Sequence, residues 1–275
     1  MDDKILKKVQ MVQLEIAREI KRVCEKNNLT VFLSCGTLLG AIRHKGFIPW
    51  DDDLDMGMLR DDYKKFILIA NKELDKKYSM IEWRSDIEYP HPMIKVVKNG
   101  TILKEKKRKD NSNHGIWVDI FPFDHVPNNK KERNWQKKEI MFYRAIARAK
   151  CHCATWYLND KILFRKWVKN LPIRFLSLFF TKKYAAYKYE YAAEKFNDLP
   201  CNNYYDNGCD SYDEQIIPEA VFDGVIEVEF EGEKFWAPKG YELYLKTIYG
   251  NYMKLPPVEK RQNRHMIETI SFGNE

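Results

Sequence analysis

Four aspartates stand within five positions of the chain, in the stretch DDDLD at residues 51–55. Alternate side chains of a strand share a face, so Asp53 and Asp55 point to the same side of a strand predicted over 53–58, and Asp51 joins them if the strand begins that early. Adjacent carboxylates repel each other unless a cation lies between them. The stretch predicts that Asp53 and Asp55 hold a divalent metal ion that receives a phosphate-bearing substrate; a solvated acidic loop is the alternative.

Turn-forming and basic residues precede these aspartates. Gly36 and Thr37 separate a predicted strand, TVFLSC, from a predicted short helix, TLLGAIRH. Backbone N–H groups at a helix start favour anions, and Thr37 adds a hydroxyl. Arg43 and Lys45 add cations nearby, with plain surface charge as the alternative. Gly36, Thr37, Arg43 and Lys45 are therefore predicted to bind a substrate phosphate, as metal-assisted phosphoryl transfer requires.

Hydrophobic periodicity predicts the elements that must position these residues. Helices are expected over residues 4–27 and from Asp61 or Asp62 to about Lys77, and a buried strand is expected in GIWVDIFPFDHV, ended by Pro122. Hairpins are expected in HPMIKVVKNGTILKEK, which turns at Asn99-Gly100, and in VIEVEFEGEKFWAP, which turns near Gly232. A last helix is expected in YELYLKTIYG.

The chain changes character twice. Residues 1–128 alternate helix and strand patterns and are predicted to form the catalytic core. Residues 129–199 are helical, basic and aromatic, with one break at Pro172, and are predicted to form an insertion. Residues 200–275, in which loops follow Pro200, are predicted to pack back on the core. The expected fold class is α/β (α+β), a mixed sheet flanked by helices with a helical insertion.

Composition excludes several classes of protein. Hydrophobic residues make up 44% of the 275 residues, which excludes a mainly disordered chain. The formal net charge of +7 suits anionic partners without selecting one. The most apolar run, LPIRFLSLFF, is too short to span a bilayer and contains Arg174. With six irregularly spaced cysteines and no apolar leader, a reduced cytoplasmic protein is expected.

A longer stretch of the sequence resembles the signature of a known protein family. The stretch GTLLGAIRHKGFIPWDDDLDMGMLRDDYKKF, residues 36–66, resembles the signature of the LicD family of phosphocholine transferases, which are related to fukutin-type ribitol-phosphate transferases. GIWVDIFPFDHVP resembles the second block of the family, and YELYLKTIYGNYMKLPP with RQNRH resembles its C-terminal block. The resemblance implies a nucleotidyltransferase-like fold. It does not cover the helical middle of the chain.

The resemblance also implies roles. Gly36 and Thr37 match the turn that holds a donor phosphate, and Asp53 and Asp55 match paired metal ligands. Asp119 matches a third carboxylate, which completes the metal site or takes the proton of the incoming hydroxyl; a structural acceptor is the alternative for it. Arg261, Arg264 and His265 match a basic tail that could bind phosphate or end a solvated helix. Trp50 could stack on a base or plug the core beneath the loop.

The implied reaction is Mg²⁺-dependent, with Mn²⁺ as the alternative ion. It would transfer phosphocholine from CDP-choline, or another CDP-alcohol, to a hydroxyl of a cell-surface glycan such as a lipopolysaccharide or teichoic-acid-type precursor, and release CMP. One alternative is a nucleotidyltransferase that releases pyrophosphate. Another is a basic module without catalysis that binds nucleic acid or membrane, for which KEKKRKD is the best support. No nucleic-acid partner is expected.

The helical middle leaves two interpretations open. FRKWVKNLPIRFLSLFFTKKYAAYKY mixes Lys and Arg with large aromatic residues. It could contact the inner membrane leaflet, where lipid-linked glycan acceptors are assembled, as a peripheral surface. It could instead form a buried helix pair that covers the core, and this interpretation is favoured.

Overall fold

The computed structural model describes residues 2–86, 88–89, 91–105, 115–151, 168, 170–208, 211–263 and 267–273. Within these ranges the α-helices are α1 (Asp3–Lys26), α2 (Cys35–His44), α3 (Arg60–Glu73), α4 (Lys130–Cys151), α5 (Leu171–Ser177), α6 (Lys182–Glu194) and α7 (Tyr241–Tyr249). The strands are β1 (Phe32–Leu33), β2 (Asp55–Leu59), β3 (Tyr78–Ile81), β4 (Ile94–Lys98), β5 (Ile102–Glu105), β6 (Trp117–His125), β7 (Asn203–Asp206), β8 (Ile216–Pro218), β9 (Val225–Phe230), β10 (Glu233–Pro238) and β11 (Ile267–Ser271).

A mixed sheet of seven strands forms the centre of the molecule. Five of them lie in the order β1-β2-β6-β4-β3, and β7 extends the sheet by pairing with both β6 and β8. Strands β2 and β6 run parallel, while the other neighbours are antiparallel. Helices accompany this sheet, so the predicted α/β (α+β) class is confirmed.

Helix α1 forms as its sequence pattern predicts. Asp2 caps it, because its carboxylate accepts a hydrogen bond of 2.9 Å from the Lys4 N–H. Apolar residues at helical spacing, including Val9, Ile16 and Ile20, are fully buried against the sheet. The buried stripe also contains two glutamines, which contact the acidic stretch.

The C-terminal hairpin of β9 and β10 is confirmed. Phe230 pairs with Glu233 across a two-residue turn of Glu231 and Gly232. Both turn residues have positive φ, 52° and 79°, as the favoured two-residue hairpin turns require. Helix α7 follows as predicted.

The predicted hairpin around Asn99-Gly100 is wrong. The turn exists, with Gly100 at a φ of 78°, but β5 pairs with β11 rather than with β4. Strand β4 is already paired with β3 on one side and β6 on the other. No edge of β4 therefore remains for β5.

The predicted end of β6 at Pro122 is also wrong, since the strand continues to His125. The last pair with β4 is Ile94–Ile120, and the first pair with β7 is Phe123–Asp206. Pro122 lies between these two ladders, so its missing N–H interrupts neither. Its carbonyl accepts hydrogen bonds from the backbone and side-chain nitrogens of Asn207, at 3.3 and 2.7 Å.

Other boundaries differ from the predictions. Helix α3 ends at Glu73 rather than near Lys77, because the chain turns into the unpredicted strand β3. The break predicted at Pro172 lies just before it, because residue 170 is in a turn and Pro172 lies in the first turn of α5, where its missing N–H costs nothing. Strands β7, β8 and β11 lie in segments expected to be loops or tail.

Buried apolar residues form two clusters. The larger one joins α1, the sheet, β9, β10 and α7. The smaller one joins α4, α6 and the outer face of β7. The boundaries at 128 and 199 remain predictions.

A buried ion-pair network connects α3, β6 and α6. Arg60 contacts Asp124 through two hydrogen bonds and lies 3.3 Å from both Glu190 and Glu194. Burial alone would raise the pKa of Asp124, but the charge and hydrogen bonds of Arg60 outweigh it and lower that pKa. The helical segment is thus held to the sheet by charges that compensate one another.

Candidate active site

The turn into α2 lies against the acidic stretch. Gly36 and Thr37 lie in the first turn of α2, which begins at Cys35, two residues earlier than predicted. A Cβ atom added at Gly36 would lie 2.8 Å from Oδ2 of Asp51. A side chain at position 36 would therefore displace the Asp51 carboxylate from its position.

Three carboxylates of the acidic stretch converge. Oxygen atoms of Asp51, Asp52 and Asp53 all lie within 4.8 Å of one another. Gln10 and Gln13 of α1 fix the backbone beneath them, since their Nε2 atoms donate to the carbonyls of Asp51 and Asp52 at 2.8 and 2.9 Å. Both glutamines are buried, so the stretch is anchored to the core rather than free in solvent.

Thr37 holds the start of β2. Its Oγ1 accepts a hydrogen bond of 2.8 Å from the Asp55 N–H, and the Asp55 carbonyl accepts one of 3.1 Å from the Ser34 N–H. Strand β2 begins at Asp55, so Asp53 lies before it rather than in it, contrary to the predicted span 53–58. The turn of α2 and the acidic stretch are therefore bound directly together.

Strand register places a carboxylate and a cation beside Asp55. Asp55 pairs with Asp119 in the parallel ladder, and Asp119 pairs with Lys95 in the antiparallel ladder. Lys95 Nζ lies 3.1 Å from Oδ1 and 3.3 Å from Oδ2 of Asp119, and Trp117 Nε1 donates to Oδ2 at 3.0 Å. Lys95 Nζ also lies 3.7 Å from the centre of the Trp117 ring.

The site carries more negative than positive charge. Burial raises the pKa of Asp55 well above its usual range, and the nearby groups Asp53, Cys35, Asp119 and Asp51 raise it further. Oδ1 of Asp119 is buried and accepts no hydrogen bond from any described residue. An oxygen-rich cluster that is short of cations suits a hard divalent ion such as Mg²⁺. The converging group of Asp51, Asp52 and Asp53 fits such an ion; of the three predicted ligands it contains only Asp53, while Asp55 and Asp119 lie beside each other in the sheet.

A second buried hydrogen-bond network holds the backbone that leads into the first turn of α2. The hydroxyl of Tyr244 lies 2.9 Å from Oγ of Ser34, accepts the Cys35 N–H at 3.1 Å and lies 3.3 Å from Oδ2 of Asp206. Burial raises the pKa of Asp206. Helix α7 and strand β7 thus fix the backbone that leads into Gly36.

Arg43 faces a cleft of about 420 Å³ rather than any described carboxylate. The described side chains that line it include cations but no Asp or Glu; they are Leu39, Arg43, Ile48, Trp50, Tyr249, Asn251, Tyr252, Lys254, Pro256, Lys260 and Gln262. Burial and the nearby Arg261 lower the pKa of Arg43. The cleft borders the acidic stretch through Trp50, the residue before Asp51.

Two other predicted residues, Lys45 and Arg261, lie in the described part of the chain. Lys45 ends α2 at the opposite end from Gly36, with its side chain exposed. The guanidinium of Arg261 lies 5.4 Å from the centre of the half-buried Trp50 ring. Arg264 and His265, and most of KEKKRKD, lie outside the described residues.

Sequence reasoning missed the residues that support the carboxylates. Lys95 and Trp117 reach Asp119 only through strand register, which no local pattern reveals. Gln10 and Gln13 left a detectable signal, because they interrupt a mostly apolar helix face. Buried glutamines need partners, and that requirement could have prompted a search for exposed backbone nearby.

Comparison with known proteins identifies the family that the motifs indicate. Residues 28–150 match the family described as LicD/FKTN/FKRP, nucleotidyltransferase domain. The lipopolysaccharide cholinephosphotransferase LicD of Haemophilus influenzae is 33% identical over 276 aligned positions, covering 96% of this chain and 97% of that protein. The human ribitol 5-phosphate transferase FKRP is 44% identical over 48 residues, covering 18% of this chain and 10% of that protein. The chain therefore belongs to the LicD family.

Proposed function

We propose that this protein transfers phosphocholine from CDP-choline to a hydroxyl of a cell-surface glycan, such as a lipopolysaccharide or teichoic-acid-type precursor, and releases CMP. The acceptor oxygen bonds to the phosphorus that carries choline. The bond from this phosphorus to the oxygen that bridges it to CMP breaks, and CMP leaves with that oxygen. The acceptor proton passes to a carboxylate of the site and then to solvent.

One observation carries this proposal: Asp55 lies among other carboxylates beside the turn that contains Gly36. Such a cluster is costly to bury unless a cation and an anionic substrate join it. The full-length similarity to a protein named as a cholinephosphotransferase supports phosphocholine as the group transferred.

Each residue has a defined task in the proposed reaction. Asp53, Asp55 and Asp119 would hold Mg²⁺, or Mn²⁺ as the alternative ion, which would offset the charge of the donor diphosphate. Asp119 is also the candidate acceptor of the hydroxyl proton. Trp117 donates to its Oδ2, whereas Oδ1 has Lys95 Nζ at 3.1 Å and accepts no described hydrogen bond, so Oδ1 is the proposed atom for either role.

The basic cleft beside Trp50 suits the nucleotide half of the donor. A phosphate could contact Arg43, Lys254 or Lys260, and the Trp50 ring offers a face for the base. At about 420 Å³ the cleft falls within the usual range for small ligands. Gly36 and Thr37 would meet the diphosphate between the cleft and the acidic stretch. Lys45 and His265 remain proposed phosphate ligands of lower importance.

The proposal is tested by nucleotide release. Purified protein with Mg²⁺ is incubated with CDP-choline, CDP-ethanolamine, CDP-glycerol, CDP-ribitol or nucleoside triphosphates, with and without a glycan extract, and products are separated by chromatography. CMP released from CDP-choline supports the proposal. CMP from another CDP-alcohol alone would change the group transferred, and pyrophosphate from a triphosphate would instead support a nucleotidyltransferase.

Two variants make this test specific. Asp53→Asn is expected to abolish CMP release, whereas Asp198→Asn, at an exposed position outside the site, is expected to leave it unchanged. Equal release by both variants would contradict the assigned site. Failure of the wild-type protein to bind any donor in the presence of Mg²⁺ would contradict the transferase itself.

A further inference from the structure

The short helix α5 and the turn after it expose large apolar side chains. Phe175 is 62% exposed, Leu178 is 73% exposed and Phe179 is 72% exposed, and Leu171 and Leu176 are also exposed. The rings of Phe175 and Phe179 lie 5.5 Å apart, so the exposed groups adjoin one another. We call these five residues the α5 patch. Adjoining exposed apolar groups of this size usually mark an interaction surface.

The α5 patch is attached to a packed base. Ile173 and Phe180 pack against the smaller apolar cluster, and Ser177 between them is buried. The Phe180 ring contacts the rings of Phe142 and Tyr143 on α4. One side of α5 is therefore fixed to the protein, and the other side presents the patch outward. In the described part of the stretch predicted as a buried helix pair, α6 does pack against α4, whereas the patch on α5 is exposed.

An interfacial surface continues from the patch onto α6. Tyr184, Tyr187 and Tyr191 are exposed and spaced at helical intervals along α6. Phe180 and Tyr184 stack with ring centres 5.9 Å apart, so the tyrosine row begins at the packed base, one residue after Phe179 of the patch. Tyrosines of this kind place a ring in an apolar layer and a hydroxyl in water.

Basic residues predominate beside the α5 patch and the start of α6. Residues 170–189 contain four basic residues, Arg174, Lys182, Lys183 and Lys188, and no Asp or Glu. Lys182 is paired with Glu88 at 2.6 Å, but Lys183 is exposed beside Tyr184. Apolar side chains flanked by tyrosines and cations match the layers of an anionic membrane surface. Among the described residues no helix is both long and apolar enough to cross a bilayer.

We infer that the α5 patch and the tyrosine row dock the protein on the surface of an anionic lipid bilayer. The apolar side chains would enter the boundary between headgroups and acyl chains, with the cations at the headgroups. This inference does not depend on the proposed reaction, because docking requires no donor or acceptor. It would bring the protein to acceptors that are carried on lipids.

The test is flotation of the full chain with vesicles. Vesicles of phosphatidylcholine with phosphatidylglycerol are compared with vesicles of phosphatidylcholine alone, at low and high salt. Binding to the anionic vesicles that weakens in high salt is expected, because both charge and apolar contact contribute. Absence of binding to the anionic vesicles would overturn the inference.

Matched variants distinguish binding through this surface from non-specific adsorption to vesicles. The double variant Phe175→Ser/Phe179→Ser is expected to weaken vesicle binding by about tenfold or more, whereas Leu68→Ser, at an equally exposed apolar position on α3, should have no effect. Lys183→Glu should weaken binding to anionic vesicles, and Lys72→Glu on α3 serves as its control. Light scattering must show the same oligomeric state throughout. Equal binding by all variants, or loss of self-association without any vesicle binding, would overturn the inference.

Discussion

Strand β6 carries two buried aspartates with opposite electrostatic surroundings. Asp119 and Asp124 are five positions apart and therefore point to opposite faces of the sheet. Asp124 is held by Arg60 and by the side-chain amides of Asn197 and Asn207. Asp119 has Lys95, but it lies beside Asp55, whose pKa is raised by burial and by further carboxylates.

The difference separates a structural charge cluster from a candidate catalytic one. Around Asp124 the protein supplies cations for its own anions, and the pKa of that carboxyl falls below its usual value despite burial, because Arg60 stabilises the charged form. Around Asp55 the protein concentrates carboxylates without enough cations. Buried ion pairs stabilise a fold when anions and cations are matched. A metal site instead needs excess negative charge, which the bound metal ion neutralises.

The largest expected effect is a loss of stability in the charge cluster around Asp124. Arg60→Met would leave Asp124, Glu190 and Glu194 without their shared cation. Removing one partner of a buried network costs about 3–5 kcal/mol, so urea unfolding should shift by that amount. Lys64→Met, at an exposed cation that pairs only with Glu194 among the described contacts, should cost less than about 1 kcal/mol. Equal losses would contradict the compensated network.

The next largest effect is a loss of activity, expected in the carboxylate cluster around Asp55. Asp55→Asn should reduce CMP release by about a hundredfold or more, because a charged ligand of the donor site is lost. In the absence of divalent ions the same variant should be at least as stable as wild type, since repulsion among carboxylates is relieved. A large loss of stability without metal would show that Asp55 has a structural role like that of Asp124.

A smaller effect is expected at the cation beside Asp119. Lys95→Met removes the ammonium group beside Asp119 and should lower stability by about 1–3 kcal/mol. Because the site then lacks a cation, added Mg²⁺ should restore more stability to this variant than to wild type. Thermal unfolding with and without Mg²⁺ measures the difference. An identical response to Mg²⁺ in both proteins would separate Lys95 from the metal site.

The smallest effect is the pH dependence of the contacts that Glu15 of α1 makes with Lys77, Tyr78 and Lys98. Partial burial would raise the pKa of Glu15, but hydrogen bonds from Lys98, Tyr78 and Lys77 outweigh it and lower that pKa to about 2. The stabilisation is therefore present above the ordinary value of 4.5 and is lost as the pH falls from 4.5 towards about 2. Glu15→Gln should cost about 0.2–1 kcal/mol at neutral pH, and this difference should vanish in urea titrations at low pH. A constant difference across this range would contradict the lowered pKa.

The acidic stretch and the glycine turn could be found from sequence because their chemistry is local. Carboxylates at short spacing and a glycine at a helix start show their residue types directly. Lys95 could not be found, because it meets Asp119 only when β4 pairs with β6. The balanced network was hidden for the same reason, since Arg60 and Glu190 are far apart in the sequence.

The two hairpin predictions show where local rules stop. At Gly232 and at Gly100 the turn residue has the positive φ that its sequence indicates. Among the described strands, β9 and β10 pair only with each other, so the local turn decides their partner. Strand β4 lies between β3 and β6, so long-range pairing decides the partner of β5 instead. Turn chemistry predicts the bend, but competition among strands determines the sheet.

The most direct measurement is calorimetric titration of Mg²⁺ and Mn²⁺ into the wild-type protein, Asp55→Asn and Asp198→Asn. The wild-type protein and Asp198→Asn are expected to bind the ion, and Asp55→Asn is expected to lose binding by about a hundredfold. Binding that is equal in all three proteins, or absent from the wild-type protein with donor present, would contradict the account of Asp55 and its neighbouring carboxylates as a metal site.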